Sequence, residues 1–127
     1  MQIRQAGIID LSRLSDLFDQ YRQFYRQPEN IKAATDFVKQ RLQQQDSVFF
    51  IALTRQGEGA GFLQLYPSFS SVAMRNVWIL NDLYVSELHR NSGVATKLIN
   101  AAKAFSLETK AMAIKLATAK DLSLIHI

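Results

Sequence analysis

Between Leu83 and Thr96 the chain passes from a hydrophobic strand pattern, Leu83-Tyr84-Val85, through the basic, glycine-bearing turn His89-Arg90-Asn91-Ser92-Gly93, into a helix start at Val94-Ala95-Thr96. This junction constrains the chain most, because it is how a protein builds a phosphate cradle. The first backbone N–H groups of a helix have no intrahelical partners and carry partial positive charge, so a glycine that lets an anion approach them creates a pyrophosphate site. Arg90 adds a permanent cation beside it.

The 127 residues suit one domain spanning 1–127, long enough to bury a core. With 48% hydrophobic and 20% charged residues, the composition is that of an ordinary globular protein without repeats or low-complexity blocks. There are no cysteines, which removes disulfides, thiolate metal sites and cysteine nucleophiles together. The two histidines, His89 and His126, are isolated from acidic companions, so no metal is expected. The net charge of +4 comes from Lys and Arg scattered along the chain rather than gathered into a stripe, so it suits a polyanionic cofactor and no nucleic acid is expected as a partner. No apolar run approaches the roughly 20 residues that cross a bilayer, and Met1-Gln2-Ile3-Arg4-Gln5 lacks the apolar core of a signal peptide. No membrane partner is expected, and a cytoplasmic location is.

Periodicity predicts a first strand at Ile3–Ala6, then a helix capped by Asp10 with Leu11, Leu14, Leu17, Phe18, Tyr21 and Phe24 on one face. A second helix carries Ile31, Ala34, Phe37, Val38 and Leu42 after the break at Gln27-Pro28-Glu29-Asn30. Val48–Leu53 and Gly61–Tyr66 read as an antiparallel hairpin, followed by a loop at Pro67–Ser71. A long strand, Met74–Val85, is interrupted by the polar pair Asn81-Asp82, where a bulge is expected. A helix from Gly93 to about Leu107 and a strand at Ala113–Thr118 complete the order β-α-α-β-β-β-α-β. The fold class expected is α/β, with a mixed, largely antiparallel central sheet flanked by helices.

Arg90-x-x-Gly93-x-Ala95, following a strand that ends in an apolar-aromatic-Val triplet, resembles the acetyl-CoA motif of the GNAT superfamily of N-acetyltransferases. The order of elements over about residues 2–121 is similar to that of the same superfamily, and the fourth strand resembles that of its bacterial small-molecule and diamine acetyltransferases. The resemblance implies an acyl-CoA N-acyltransferase fold in which a fourth helix and two further strands follow the fifth strand. Here the chain runs through Asp121-Leu122-Ser123-Leu124-Ile125-His126-Ile127, so the domain is expected to be incomplete at its C-terminus and 121–127 to be a non-native tail. The tyrosine that the superfamily's last helix commonly supplies to protonate the leaving thiolate has no counterpart here.

The same resemblance implies acetyl-CoA as cosubstrate, with Leu83, Tyr84 and Val85 pairing with its pantetheine arm. It implies Arg90, Asn91, Ser92, Gly93, Val94, Ala95 and Thr96 around its pyrophosphate. A bulge at Asn81-Asp82 supplies an independent reason, since it would part the fourth and fifth strands and leave backbone groups of Leu83–Val85 for a ligand. Asp82 is the best carboxylate for attracting an amine or taking its proton, with Asn81 beside it. A structural role for Asp82 within the bulge stays open. Tyr21, Phe24, Tyr25, Tyr66, Phe69 and Trp78 are candidates for an acceptor wall or for plain core. The expectation is an acyltransferase that moves an acetyl group from acetyl-CoA to a primary amine, its partner a small-molecule amine, with a homodimer open to it. Two other readings remain: an acyl-CoA-binding or interaction domain without turnover, and an acetyltransferase of protein lysines or N-termini.

Overall fold

A computed structural model describes residues 1–117; the segment 121–127, Thr118 and His126 lie outside the described residues. Five strands, β1 (Gln2–Gln5), β2 (Val48–Leu53), β3 (Gly59–Ser70), β4 (Arg75–Val85) and β5 (Ile114–Leu116), form one sheet in the order β1-β2-β3-β4-β5. Neighbours are antiparallel except β4 and β5, which run parallel. Helices α1 (Leu11–Phe24) and α2 (Ile31–Gln44) precede β2, and α3 (Val94–Glu108) connects β4 to β5. Short 3₁₀ turns at Ile8–Asp10 and Glu87–His89 lead into α1 and the turn before α3. The expected fold class and element order are both present.

The sheet carries a core on each face. Leu14 and Leu17 of α1 and Val38 of α2 pack on Phe49, Ile51, Leu53 and Phe62. On the other face Val94, Leu98 and Ala102 of α3 pack on Phe50, Leu63, Leu65, Leu80, Leu83 and Val85. Alternation along β2 explains this division, because Phe49 and Ile51 point one way and Phe50 and Ala52 the other. Each wholly buried leucine, such as Leu98, stabilises the fold by about 2–5 kcal/mol relative to alanine.

The structure corrects three local expectations. Pro67–Ser70 is strand rather than loop, since β3 pairs with β4 from Gly61↔Val85 out to Ser70↔Arg75 and long antiparallel pairing overrides weak local propensity. Pro67 is tolerated because β2 pairs with β3 only as far as Leu65, leaving Pro67 on an edge. Asp10 precedes α1 as expected, but its side chain caps no α1 amide; it accepts from both Nη atoms of Arg4 (2.7 and 2.6 Å), from Arg13 (2.8 Å) and from the backbone N–H of Gly7 (3.0 Å). The fourth strand begins at Arg75, because Met74 has a left-handed backbone (φ 55°) that turns the hairpin instead of extending it.

The expected bulge lies in β4. Gln64 is paired with Asp82 and Leu65 with Leu80, so Asn81 is the extra residue. It resolves a conflict of period: Leu80 and Leu83, three residues apart, both belong to the α3-side core, which a strand of strict alternation cannot achieve.

Candidate active site

Val94, Ala95 and Thr96 open α3, so their N–H groups lack intrahelical acceptors and point out of the helix end. Gly93 caps this helix with φ 83°, and Asn91 two residues earlier has φ 63°. Left-handed residues at such spacing turn successive N–H groups toward one side, and glycine and asparagine are the types that enter this region most readily. A Cβ built on Gly93 would meet no atom within 4 Å, so the space above the helix end is open.

That space belongs to a cavity of about 460 Å³. One wall is Leu83, Tyr84 and Val85 of β4, one is Tyr21, Phe24 and Tyr25 of α1, and the third is formed by His89, Arg90, Asn91, Gly93 and the start of α3. Among the described residues β5 pairs with Trp78, Ile79 and Leu80 and not with Leu83–Val85, so the two strands pair below the bulge and not above it. On the opposite side β3 presses close to this wall: a Cβ on Gly61 would lie 2.7 Å from the Tyr84 carbonyl oxygen.

Nine of the ten residues assigned from sequence to cofactor binding thus converge on one cavity. Ser92 is the exception, its hydroxyl donating to the His89 carbonyl. Arg90 is held in a defined place: its Nε donates to the Val85 carbonyl at 3.0 Å, and its guanidinium carbon lies 5.4 Å from the Phe24 ring centre and 5.5 Å from that of Tyr84. A cation over two aromatic faces is attracted by their quadrupoles, and among the described residues no carboxylate forms an ion pair with it, so the positive charge stands at the cavity wall. An open helix N-terminus, a glycine whose Cβ would enter the cavity and a nearby arginine together suit a pyrophosphate.

Asp82 lies one step along β4 from the cavity wall and is buried, 7% exposed. Tyr21 donates to its Oδ1 at 2.8 Å and Asn81 Nδ2 to its Oδ2 at 3.0 Å, and the nearby Tyr66 hydroxyl also favours its charged form. Burial pushes the Asp82 carboxyl above its ordinary range, and the hydrogen bonds from Asn81 and Tyr21, with the influence of Tyr66, offset only part of that shift. Tyr21 is driven far above the usual phenol value by burial first and then by the Asp82 charge, so it remains a donor. Tyr66 is pushed up to about 12, by burial first and then by Asp82.

The aromatic candidates divide. Tyr21, Phe24 and Tyr25 line the cavity and Tyr66 lies within electrostatic reach of Asp82, whereas Phe69 is 76% exposed on the β3–β4 hairpin. Trp78 packs on Phe105, ring centres 5.2 Å apart, and donates to Thr109 Oγ1, on the α3 side. His89, which the sequence places in the turn before Arg90, lines the cavity as well. Sequence reasoning did not single out Gln64 and Ser47, which form a buried hydrogen bond beneath this face. The signal available was a glutamine between Leu63 and Leu65 in an otherwise apolar strand. Among the described residues no three His, Asp or Glu side chains gather in a group able to hold a metal ion, and no helix is long and apolar enough to cross a membrane.

Residues 14–125 match the profile of the acetyltransferase (GNAT) family. The chain is 44% identical over 118 residues to the uncharacterized N-acetyltransferase YhfO of Bacillus subtilis (strain 168), covering 93% of this chain and 78% of that protein. It is 33% identical over 105 residues to a probable acetyltransferase of Haemophilus influenzae, covering 83% of this chain and 72% of the relative. The crystal structure of a probable acetyltransferase shares the fold with a TM-score of 0.89 at 40% identity, over 96% of this chain and 82% of the other. A ribosomal-protein-alanine N-acetyltransferase from Brucella melitensis is alike in fold alone, with a TM-score of 0.81 at 20% identity over 97% and 84% of the two chains. With the strand order, the helix-end cradle and these relatives in agreement, the chain belongs to the GNAT acetyltransferase family and is an N-acetyltransferase, a membership that implies the use of acetyl-CoA.

Proposed function

We propose that the protein transfers an acetyl group from acetyl-CoA to a primary amine of a small molecule, by direct attack of the amine on the thioester. The observation that carries this reading is that Tyr21 belongs to both halves of the site: its ring lines the cavity and its hydroxyl holds Asp82. Bound acetyl-CoA supplies the activated acyl group. Gly93 and the amides of Val94, Ala95 and Thr96 bind its pyrophosphate, with Arg90, Asn91 and Ser92 completing the turn, and Leu83, Tyr84 and Val85 orient the pantetheine arm along β4.

An alkyl ammonium has a pKa of about 10.4 and cannot attack until it loses a proton. Asp82, with Asn81 holding one oxygen, attracts that ammonium and takes the proton, directly or through a water. Its burial makes it a stronger base than an exposed carboxylate, and Tyr21 and Asn81 keep its oxygens oriented. Tyr21, Phe24 and Tyr25 give the amine's carbon skeleton an apolar wall.

The test has two steps. Acetyl-CoA is expected to raise the melting temperature, and no shift would sink the cofactor assignment. Thiol release is then followed with a panel of small primary amines and with lysine-bearing and N-terminal peptides. Release with peptides alone would overturn the small-molecule assignment, and binding without any release would favour a binding domain.

A further inference from the structure

Directly beside Asp82, across the β3–β4 pair and on the same face of the sheet, stands Gln64. It is wholly buried. Its Nε2 donates to Ser47 Oγ at 2.9 Å, while its Oε1 meets no donor. A buried carbonyl oxygen left without a partner costs about 1–3 kcal/mol, a cost that a leucine at the same place would not carry. An acceptor kept at such a cost fits a state in which a donor arrives. Side chains opposite one another in an antiparallel ladder have Cβ atoms roughly 4.5–5.5 Å apart, so register points to Asp82, whose carboxyl has a hydrogen to donate only when protonated.

We propose that Gln64 is a positioning residue for the proton on Asp82: its Oε1 accepts the hydrogen bond of the carboxylic acid form, and Ser47 holds the amide in that orientation. This rests on the reading that Asp82 takes the amine's proton and extends it to how the proton is then held. An N–H bond of the ammonium breaks, its electron pair stays on nitrogen, and the proton forms an O–H on Asp82 that points at Gln64.

The other groups facing Asp82 act in the opposite sense. Tyr21 from α1 and Asn81 from β4 donate to it, and these two together with Tyr66 from β3 favour the carboxylate. Behind them stand Tyr25, which interacts with Tyr21, and Arg41 and Asp46, which act on Tyr66. The charged residue of β5 is Lys115, paired with Ile79. Among these described neighbours Gln64 alone presents a buried acceptor without a donor. The raised pKa of Asp82 agrees with a site that accommodates the protonated form.

Gln64→Met keeps length and volume while removing both polar atoms. Carbon-13 titration of the Asp82 carboxyl, identified by its absence in Asp82→Asn, reads the proton directly. The midpoint is expected to fall by about one pH unit in Gln64→Met, one hydrogen bond's worth, and the acid limb of kcat/KM to move down with it. Simple loss of a polar neighbour predicts the reverse, because a drier site disfavours the charged form. An unmoved or raised midpoint therefore overturns the proposal, as it would if the amide presented its NH₂ to Asp82. Ser47→Ala, which releases the amide's anchor, is expected to move the midpoint in the same direction by less and serves if the methionine variant does not fold. Should Asp82→Asn keep full turnover, the catalytic reading of Asp82 fails, while the titration still decides whether Gln64 holds its proton.

Discussion

The hydroxyl of Tyr21, on α1, donates a 2.8 Å hydrogen bond to Oδ1 of Asp82, 61 residues away on β4. It couples the wall of the cavity to the buried acid behind it. Tyr21→Phe keeps the ring contacts with Phe62 and Tyr84 and removes only the donor that favours the carboxylate. A hydrogen bond to a charged group contributes about 1.5–3 kcal/mol, so the Asp82 pKa is expected to climb by a further one to two units or so, and the acid limb of kcat/KM with it. A pH–rate profile that superimposes on the wild type would remove Tyr21 from this role.

Asp82→Asn tests activity and stability in opposite directions. Turnover is expected to fall roughly 10²- to 10⁴-fold, the usual contribution of a positioned base. Because the folded-state pKa of Asp82 is raised, its stabilising contribution is complete below the ordinary value of 3.8 and is lost as pH rises through the folded-state value. The variant does not ionise. Its melting temperature relative to wild type should therefore rise across that window and level off above it, and a gap independent of pH would contradict the burial argument.

Asp10 behaves with the other sign. Burial works against its charge, but the hydrogen bonds from Arg4 and Gly7 and the charges of Arg4 and Arg13 hold its carboxyl below the ordinary 3.8. Its contribution is present above that value and lost as pH falls through the folded-state one. Asp10→Asn is expected to cost about 3 kcal/mol at neutral pH, since it leaves two guanidinium groups without their shared carboxylate, and less in acid. Urea midpoints at two pH values measure the difference.

Gly93→Ala separates backbone strain from ligand binding. No protein atom lies within 4 Å of the new methyl, so any loss of stability comes from the left-handed φ of 83° and should be about 1 kcal/mol. The methyl also enters the space assigned to the pyrophosphate. The melting shift produced by acetyl-CoA is expected to shrink by more than the ligand-free melting point falls; an undiminished shift would place the phosphates elsewhere.

Arg90→Ala removes a cation held over Phe24 and Tyr84 and tied to the Val85 carbonyl. The Kd for acetyl-CoA is expected to rise about tenfold, equivalent to about 1.4 kcal/mol, with a weaker dependence on salt. Arg90→Lys should recover only part of this, because an ammonium lacks the planar face that stacks on the two rings. Calorimetric titration at two salt concentrations measures both effects.

Much of this architecture was legible because its causes are local. Helical spacing from Leu14 to Tyr21, the apolar run Val48–Leu53 and the glycine before Val94 act within a few residues, and the structure has each of those elements. The polar pair Asn81-Asp82 interrupting a long strand announced the bulge. Pro67–Ser70 misled, since its strand conformation comes from pairing with Arg75–Trp78 and not from its own residues. Asp10 misled for a related reason: it has the residue type and position of a cap, but Arg4 and Arg13 compete for it once β1 and α1 meet.

By itself the sequence determined the order of elements, the helix-end cradle and the kind of anion it suits, because backbone geometry and periodicity are written in neighbouring residues. Only the tertiary structure decided which acid is buried and what holds it. Asp82 acquires its raised pKa from burial beneath α1, an effect that Asn81 and Tyr21 only partly offset, and Gln64 becomes its neighbour only through the β3–β4 register. Desolvation and hydrogen bonding depend on what surrounds a group in space, and chain elements far apart in sequence supply those surroundings.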